Sequence, residues 1–548
     1  MDEDFKSLDM KGGVLQCQPT KAHKEAHTIH MENNITKDSI PTWDYLLFDL
    51  NAVSIMATLL KNQSIKGYSV AVLYEAYALL CKLKQLRKKL KRGYYDISLK
   101  DPASQKALDN FMKELKATLN GELTQDAVIE MLGQHVVIKP VLEAIFDDYP
   151  FAEENPISKA MTGMLEKLDK AGMKKCVAML ESFYGDVKRR MASAKEADTR
   201  QTIIKDLFDK FFKTAFPKMR DKLGIVYTPV EIVDFMNRSV ADLLQKEFGK
   251  TINEHGLHIL DPFTGTGTFI VRLLQSGLIN KEDLTYKYEN DIHANEIVPL
   301  AYYIAAMNME TAYHDIIKEA EYNPNDILVW TDTFASNEKS DIFKTALSVN
   351  NENLDKENKA DIRVIIGNPP YSVGQSDQND NNTNEHYDLL DARLADTYVD
   401  KSSANNCNSL YDSYIRAYRW ASDRIKDSGI IAFITNAGWL DSASADGMRK
   451  CMVEEFSSIY IYHLKGNQRT SGERSRQEGG KIFGEGSRAP IAIVFLVKNP
   501  ASKEKGKIYF HTVDDYLTRE QKLKEVSDFG SISNMSWDEI FLISMVIG

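Results

Sequence analysis

Leu257-His258-Ile259-Leu260-Asp261-Pro262-Phe263-Thr264-Gly265-Thr266-Gly267-Thr268-Phe269 starts as an apolar run, breaks at Asp261 and passes two glycines before apolar residues resume. The run predicts a strand ending near Asp261. Gly265 and Gly267 allow a tight turn that can approach a ligand without Cβ atoms intervening. Ile270 stands where a nicotinamide dinucleotide fingerprint would have its third glycine, and no Gly-Lys-Ser/Thr follows. The first reading therefore loses ground, and a triphosphate loop is excluded at this site.

Six more β-rich runs follow, at 284–291, 327–334, 364–368, 429–436, 458–464 and 491–498, with helical stretches such as 294–309 and 411–426 between them. This alternation predicts an α/β fold, a seven-stranded Rossmann-like sheet, mostly parallel and covered on both faces. Ligands of such sheets bind at the carboxyl ends of the strands. Upstream, residues 45–212 read as an all-α region. Ile203, Leu207 and Phe211, flanked by Ile204, Phe208 and Phe212, form a broad apolar stripe there, and Met164, Leu168 and Ala171 form a similar one. Such stripes are core packing. The expected organisation is a polar segment 1–44, a helical domain 45–212, an α/β domain 213–500 and a short region 501–548. Two long loops interrupt the α/β pattern, a charged Asn-rich one at 336–360 and a polar one at 376–385.

With 548 residues, 43% of them hydrophobic, the chain can build two or three cores. It has neither a transmembrane-length apolar run nor a signal-peptide core at Met1-Asp2-Glu3-Asp4, which predicts a cytoplasmic protein. Five scattered cysteines predict reduced thiols without a zinc site. His23, His27 and His30 have helical spacing but no ligand motif around them, so no metal is expected. The net charge of −11 argues against a uniformly basic coat, so local distribution decides. Residues 82–92 hold seven basic side chains and no acid, read as the solvated face of a helix. Residues 465–488 hold six basic side chains against three acids in a Gly- and Ser-rich setting, which suits phosphate contact.

Three strand ends bear acids in succession: Asp261, then Glu289-Asn290-Asp291, then Asp332 followed by Phe334. Any one could be a turn residue. Together they suit a nucleoside, with Asp291 (or Glu289) on the ribose hydroxyls, Asp332 on the base amine and Phe334 over its ring. The fourth run ends in Asn368-Pro369-Pro370-Tyr371. An exocyclic amine such as N6 of adenine is a poor nucleophile because its lone pair is delocalised. The Asn368 side-chain carbonyl and the Pro369 backbone carbonyl, held by the rigid Pro-Pro pair, can accept both amino hydrogens and localise that pair. Tyr371 offers a stacking face. Adenine in a duplex must be flipped out to reach such a pocket. Phe483 is the candidate for the opposite face, with an ordinary buried Phe before a strand as the equal alternative. Methylation of an amine, most readily N6 of adenine in double-stranded DNA, is the chemistry these residues imply.

With these motifs in order, the sequence resembles the gamma-type N6-adenine DNA methyltransferases over about 213–500. The resemblance implies S-adenosylmethionine as cofactor. It assigns Tyr227-Thr228-Pro229 to the methionine part and Asp261, Phe263, Gly265, Gly267 and Phe269 to the glycine-rich motif. Asp291 falls to the ribose, Asp332 and Phe334 to the adenine, Asn368 to Tyr371 to catalysis, and Lys481 to Phe483 to the second aromatic. Arg469, Arg474, Arg476 and Lys481 are the expected DNA contacts. Tyr371-Ser372-Val373-Gly374-Gln375 and Gly466-Asn467-Gln468-Arg469-Thr470-Ser471-Gly472-Glu473-Arg474 are similar to single-polypeptide Type I (Type ISP) restriction-modification enzymes. In that family a nuclease, a helicase-like ATPase and a helical coupler precede the methyltransferase, and a target-recognition domain follows. Here 45–212 resembles the coupler and 501–548 only the start of a recognition region. No ATPase loop or nuclease motif is found, so those activities would come from partner domains. Two alternatives remain: methylation of RNA or protein glutamine, and a DNA-binding coupler fragment inactive without a recognition domain or partner.

Overall fold

In the computed structural model, residues 10–11, 14–15, 101–119, 121, 123–145, 151–168, 228–318, 327–335, 346–371, 386–483 and 488–541 are described. The three histidines near the start, the basic run 82–92, the stripe at 203–212, Tyr227 and the loop 376–385 lie outside them. The chain divides into two compact units, one comprising Met1–Phe111, Thr124–Glu154 and Ser158–Asp221, the other Met112–Leu123, Asn155–Ile157 and Lys222–Gly548.

Between 45 and 212 the described residues are helical, with α1 Pro102–Thr118, α2 Gln125–Ile145 and α3 Pro156–Leu168. Val128 and Leu132 recur one turn apart on α2 and are buried, as expected of a core-facing stripe. His135, one turn further on, is buried too, and its ring nitrogen bonds Thr162 Oγ1 at 3.0 Å.

The second unit is built on a sheet. Its strands are β1 His258–Asp261, β2 Ile292–Glu296, β3 Leu328–Trp330, β4 Ile362–Gly367, β5 Gly429–Asn436, β6 Ser458–Lys465, β7 Ile491–Lys498, β8 Lys507–Thr512 and β9 Asp538–Ile540. Their order is β9-β8-β6-β7-β5-β4-β1-β2-β3. Strands β1 to β5 pair in parallel, β7 runs antiparallel to β5 and β6, and β9 runs antiparallel to β8. The sheet therefore has nine strands where seven were expected. The extra two come from 501–548, which continue the same sheet because Ile508, Phe510 and Ile540 pack onto its core.

Alternation along the strands sorts two apolar faces. Ile431, Phe433, Ile459, Ile461, Val494 and Leu496 share one cluster with Tyr418 and Trp420 of α8 (Ser413–Arg424) and with Met448 and Met452 of α9 (Asp446–Glu455). Numbering the described helices of eight residues or more in chain order, the others are α4 Val230–Phe248, α5 Thr268–Gln275, α6 Pro299–Ile317, α7 Ser348–Lys359 and α10 Arg519–Phe529. On the opposite face Phe235 of α4 meets the rings of Tyr462 and Phe495 at 5.8 and 6.3 Å.

Two expectations are corrected. Residues 284–291 are not a strand but the helix Lys281–Tyr286 followed by a wide helical turn, Lys287–Asp291. Lys287 causes this: its buried ammonium donates to Glu254 O, Leu257 O and Asp291 Oδ2 at 2.9, 2.8 and 2.9 Å. An ion pair at i,i+4 closes a helical turn and would be lost in a strand. The segment expected as a loop at 336–360 contains α7. There Asn350 bonds both the N–H and the carbonyl of Trp330 (2.8 and 3.1 Å), so polar side chains do the packing.

Candidate active site

Asp261 ends β1 fully buried. Its Oδ1 accepts the Phe263 N–H at 3.2 Å, and Oδ2 is buried without a partner. A Cβ at Gly367 would sit 2.7 Å from that Oδ1, so β4 passes Asp261 only because residue 367 is glycine. The turn then closes through Thr264 N–H to Asn295 O (3.0 Å) and Gly267 N–H to Thr264 O (2.9 Å). Gly265 and Gly267 hold left-handed φ values of +58° and +85°. At Gly267 a Cβ would press the Ala305 backbone of α6 at 3.2 Å, whereas at Gly265 it would enter open space. Gly267 serves packing; Gly265 leaves room for a ligand.

The acid that meets this turn is Glu296, at the carboxyl end of β2. It accepts the Gly265 N–H at 2.8 Å and the Val298 N–H at 2.7 Å. Burial pushes Glu296 up to about 7 and Asp261 up to about 8, with Glu296 adding to the latter. Asp291, expected in this role, lies before β2, at that strand's opposite end. It is buried against Lys287 and accepts the Gly256 N–H at 2.9 Å. Glu289 sits exposed in the same helical turn. The sequence did carry a signal for Glu296: Pro299 marks the first turn of α6, which puts the strand end just before it.

Asp332 follows β3. Its Oδ1 accepts the Phe334 N–H and its Oδ2 the Tyr387 hydroxyl, both at 3.0 Å. Phe334 meets Phe263 at 5.4 Å between ring centroids, so the first and third strand ends share an aromatic floor. Phe269 is buried within α5, where its carbonyl accepts the Asn237 amide at 3.2 Å.

Asn368 follows β4, adjacent to β1 in the sheet. Its Nδ2 donates to Thr228 Oγ1 at 3.0 Å, while its Oδ1 is buried with no partner. A buried acceptor left so costs about 1–3 kcal/mol and calls for a donor. Pro229 caps α4, its carbonyl accepting the Ile232 and Val233 N–H groups at 3.1 and 3.2 Å. Pro369 is buried and Pro370 partly so. Tyr371 is fixed by its hydroxyl, which donates to Ile434 O at 2.8 Å. Its ring meets Phe483 at 5.8 Å, and Phe483 is itself buried.

Arg469, Arg474 and Arg476 are exposed on the segment between β6 and β7, and Lys481 is half-buried. The segment is held in place by the first turn of α10 and the residues just before it. Gly480 N–H donates to Leu517 O (2.9 Å), Arg519 Nε to Ile482 O (2.7 Å), and Lys522 Nζ to Glu478 O and Gly480 O (both 2.8 Å). Sequence reasoning missed these anchors, which lie about forty residues beyond the loop and follow no local pattern.

Residues 83–199 match the coupler domain of Type ISP restriction-modification enzymes, and residues 200–460 match the N-6 DNA methylase family. A nuclease-deletion mutant of the Type ISP enzyme LlaGI, solved with a DNA substrate mimic, is 38% identical over 96% of this chain, with a TM-score of 0.82. The chain resembles the coupler and methyltransferase portion of Type ISP restriction-modification enzymes. A second Type ISP enzyme, LlaBIII bound to DNA, is 38% identical over 86% of the chain, with a TM-score of 0.81. The DrdV–DNA complex is 31% identical over 86%, with a TM-score of 0.75. The chain spans 43%, 32% and 47% of those three proteins, respectively. No protein of curated function matches it by sequence. The glycine turn, Glu296, Asp332 and Asn368 to Tyr371 all fall inside the methylase match. Among the described residues no helix is long and apolar enough to cross a membrane.

Proposed function

We propose that this Type ISP-like chain transfers a methyl group from S-adenosylmethionine to N6 of an adenine flipped out of double-stranded DNA, as the modification part of a restriction-modification system. The observation that carries the reading is the buried, unpartnered Asn368 Oδ1 beside a glycine turn with open space at Gly265. The residues fit the cofactor: Glu296 would take the ribose hydroxyls, Asp332 the adenine amine, Phe334 its ring, and Thr228 and Asp261 the methionine end. When bound there, the cofactor supplies a methyl group activated by a positive sulfur.

The protein's own part is electrostatic positioning. Asn368 Oδ1 and the Pro369 carbonyl accept the two amino hydrogens, which draws the nitrogen towards tetrahedral geometry and localises its lone pair. Thr228 fixes the Asn368 amide so that its oxygen stays the acceptor. Tyr371, tethered to Ile434, offers the stacking face. Phe483 touches Tyr371 directly, so the incoming base must part the two rings before it is held between them. Arg469, Arg474, Arg476 and Lys481 neutralise phosphates beside the pocket. The DNA-bound LlaGI, LlaBIII and DrdV structures support DNA as the partner, and a helicase, a nuclease and a complete recognition domain would be contributed by further domains.

Incubation with methyl-labelled cofactor and, in parallel, duplex DNA, RNA and a glutamine-bearing protein tests the substrate. Label recovered as N6-methyladenine in DNA supports this reading, whereas label confined to RNA or protein refutes it.

A further inference from the structure

Tyr387 belongs to none of the motifs above, yet it reaches the carboxylate assigned to the cofactor's adenine across 55 residues of sequence. Its hydroxyl donates to Asp332 Oδ2 at 3.0 Å, and the Phe334 N–H holds the other oxygen at the same distance. Two bonds, one to each oxygen, fix the rotation of the carboxylate about its last torsion. The Tyr387 ring also sets its neighbours. It meets Phe334 edge-on at 5.3 Å and 71°, and the Arg416 guanidinium lies 5.4 Å from its centre. Arg416 is in turn locked by two 2.8 Å bonds to Asp391, and Asp391 accepts the Tyr387 N–H at 3.2 Å. A phenol held on three sides and only 7% exposed is a rigid support.

We propose that Tyr387 is a positioning residue for the adenine half of the methyl donor. Its hydroxyl aims Asp332 at the exocyclic amine, and its ring holds Phe334 at the adenine face. This rests on Asp332 being the adenine acceptor, so the test must tell the two ideas apart. The side chain does not touch the reacting atoms; it acts through Asp332 and Phe334.

Tyr387→Phe keeps the ring, its packing and the Arg416 contact and removes only the hydroxyl. Two ligands report the effect by calorimetry: S-adenosylhomocysteine, and S-inosylhomocysteine, in which an oxo group replaces the amine. Wild-type protein should prefer the first. In Tyr387→Phe the preference should fall about fivefold, through weaker S-adenosylhomocysteine binding alone, because one charge-assisted support is lost. Equal weakening for both ligands, or no change for either, overturns the proposal and leaves Tyr387 a packing residue. Asp332→Asn is the control for the underlying reading. If it retains the wild-type preference, Asp332 does not read the amine and that reading fails first. If Asp332→Asn loses the preference while Tyr387→Phe keeps it, only the Tyr387 proposal fails.

Discussion

Two buried carboxyls beside the glycine turn, Asp261 and Glu296, have opposite consequences for stability and binding. Burial raises them to about 8 and about 7, so the folded chain keeps protons that the unfolded chain releases near its ordinary carboxylate range of about 4. Stability at these sites therefore declines as pH climbs from about 4 to about 8, the reverse of a salt-bridged acid. Urea midpoints of the ligand-free protein should fall between pH 5 and pH 8, and Asp261→Asn should flatten the fall; equal slopes would contradict this. A second pair separates the two acids around β2. Glu296→Gln should weaken S-adenosylhomocysteine binding about tenfold, as expected for a lost charge-assisted contact. Asp291→Asn should leave that binding unchanged but cost about 3 kcal/mol of stability, because it strands the buried Lys287 ammonium. Calorimetry and thermal melts distinguish these outcomes. At this scale the place of Asn368 to Tyr371, just past a strand, was legible from the apolar run before them. The place of Glu296 was less so: Pro299 marks the helix that follows, but β2 itself lacks an apolar run.

Elements misread from sequence were those in which polar residues take core positions. β2 reads Ile-His-Ala-Asn-Glu, with little strand propensity, and forms because β1 and β3 flank it on both sides. α7 is buried through Asn350, Asn353 and Glu357 as well as Leu354, so no apolar stripe announces it. By contrast 429–436 and 491–498, with continuous apolar runs at 430–434 and 491–497, were legible to the residue. The basic segment between β6 and β7 depends on distant support. A Cβ on Gly480 would come 2.4 Å from Arg519 N, and Lys522, fully buried, is lowered to about 8 mainly by that burial. Gly480→Ala and Lys522→Met should each raise the Kd for duplex DNA about tenfold, as expected when one or two phosphates go unneutralised, with S-adenosylhomocysteine affinity intact. An unchanged Kd in both variants would remove the segment from the DNA surface.

Across the whole molecule, the α/β architecture was readable from alternating strands and helices, whereas sheet size was not. Its last two strands lie within 501–548, the segment whose resemblance suggested a new region. The chain spans less than half of the LlaGI and LlaBIII proteins, and a mismatched adenine lowers the cost of flipping the base out. Such a duplex is therefore the fairest substrate for this chain. The decisive measurement is single-turnover methyl transfer to that duplex by wild-type and Asn368→Ala protein at saturating S-adenosylmethionine, read as N6-methyladenine by nucleoside mass spectrometry. The wild-type chain should form the product, and the variant should be slower by about a hundredfold or more, with S-adenosylhomocysteine affinity preserved. Equal rates in the two proteins, or methylation at a position other than N6 of adenine, would contradict the account.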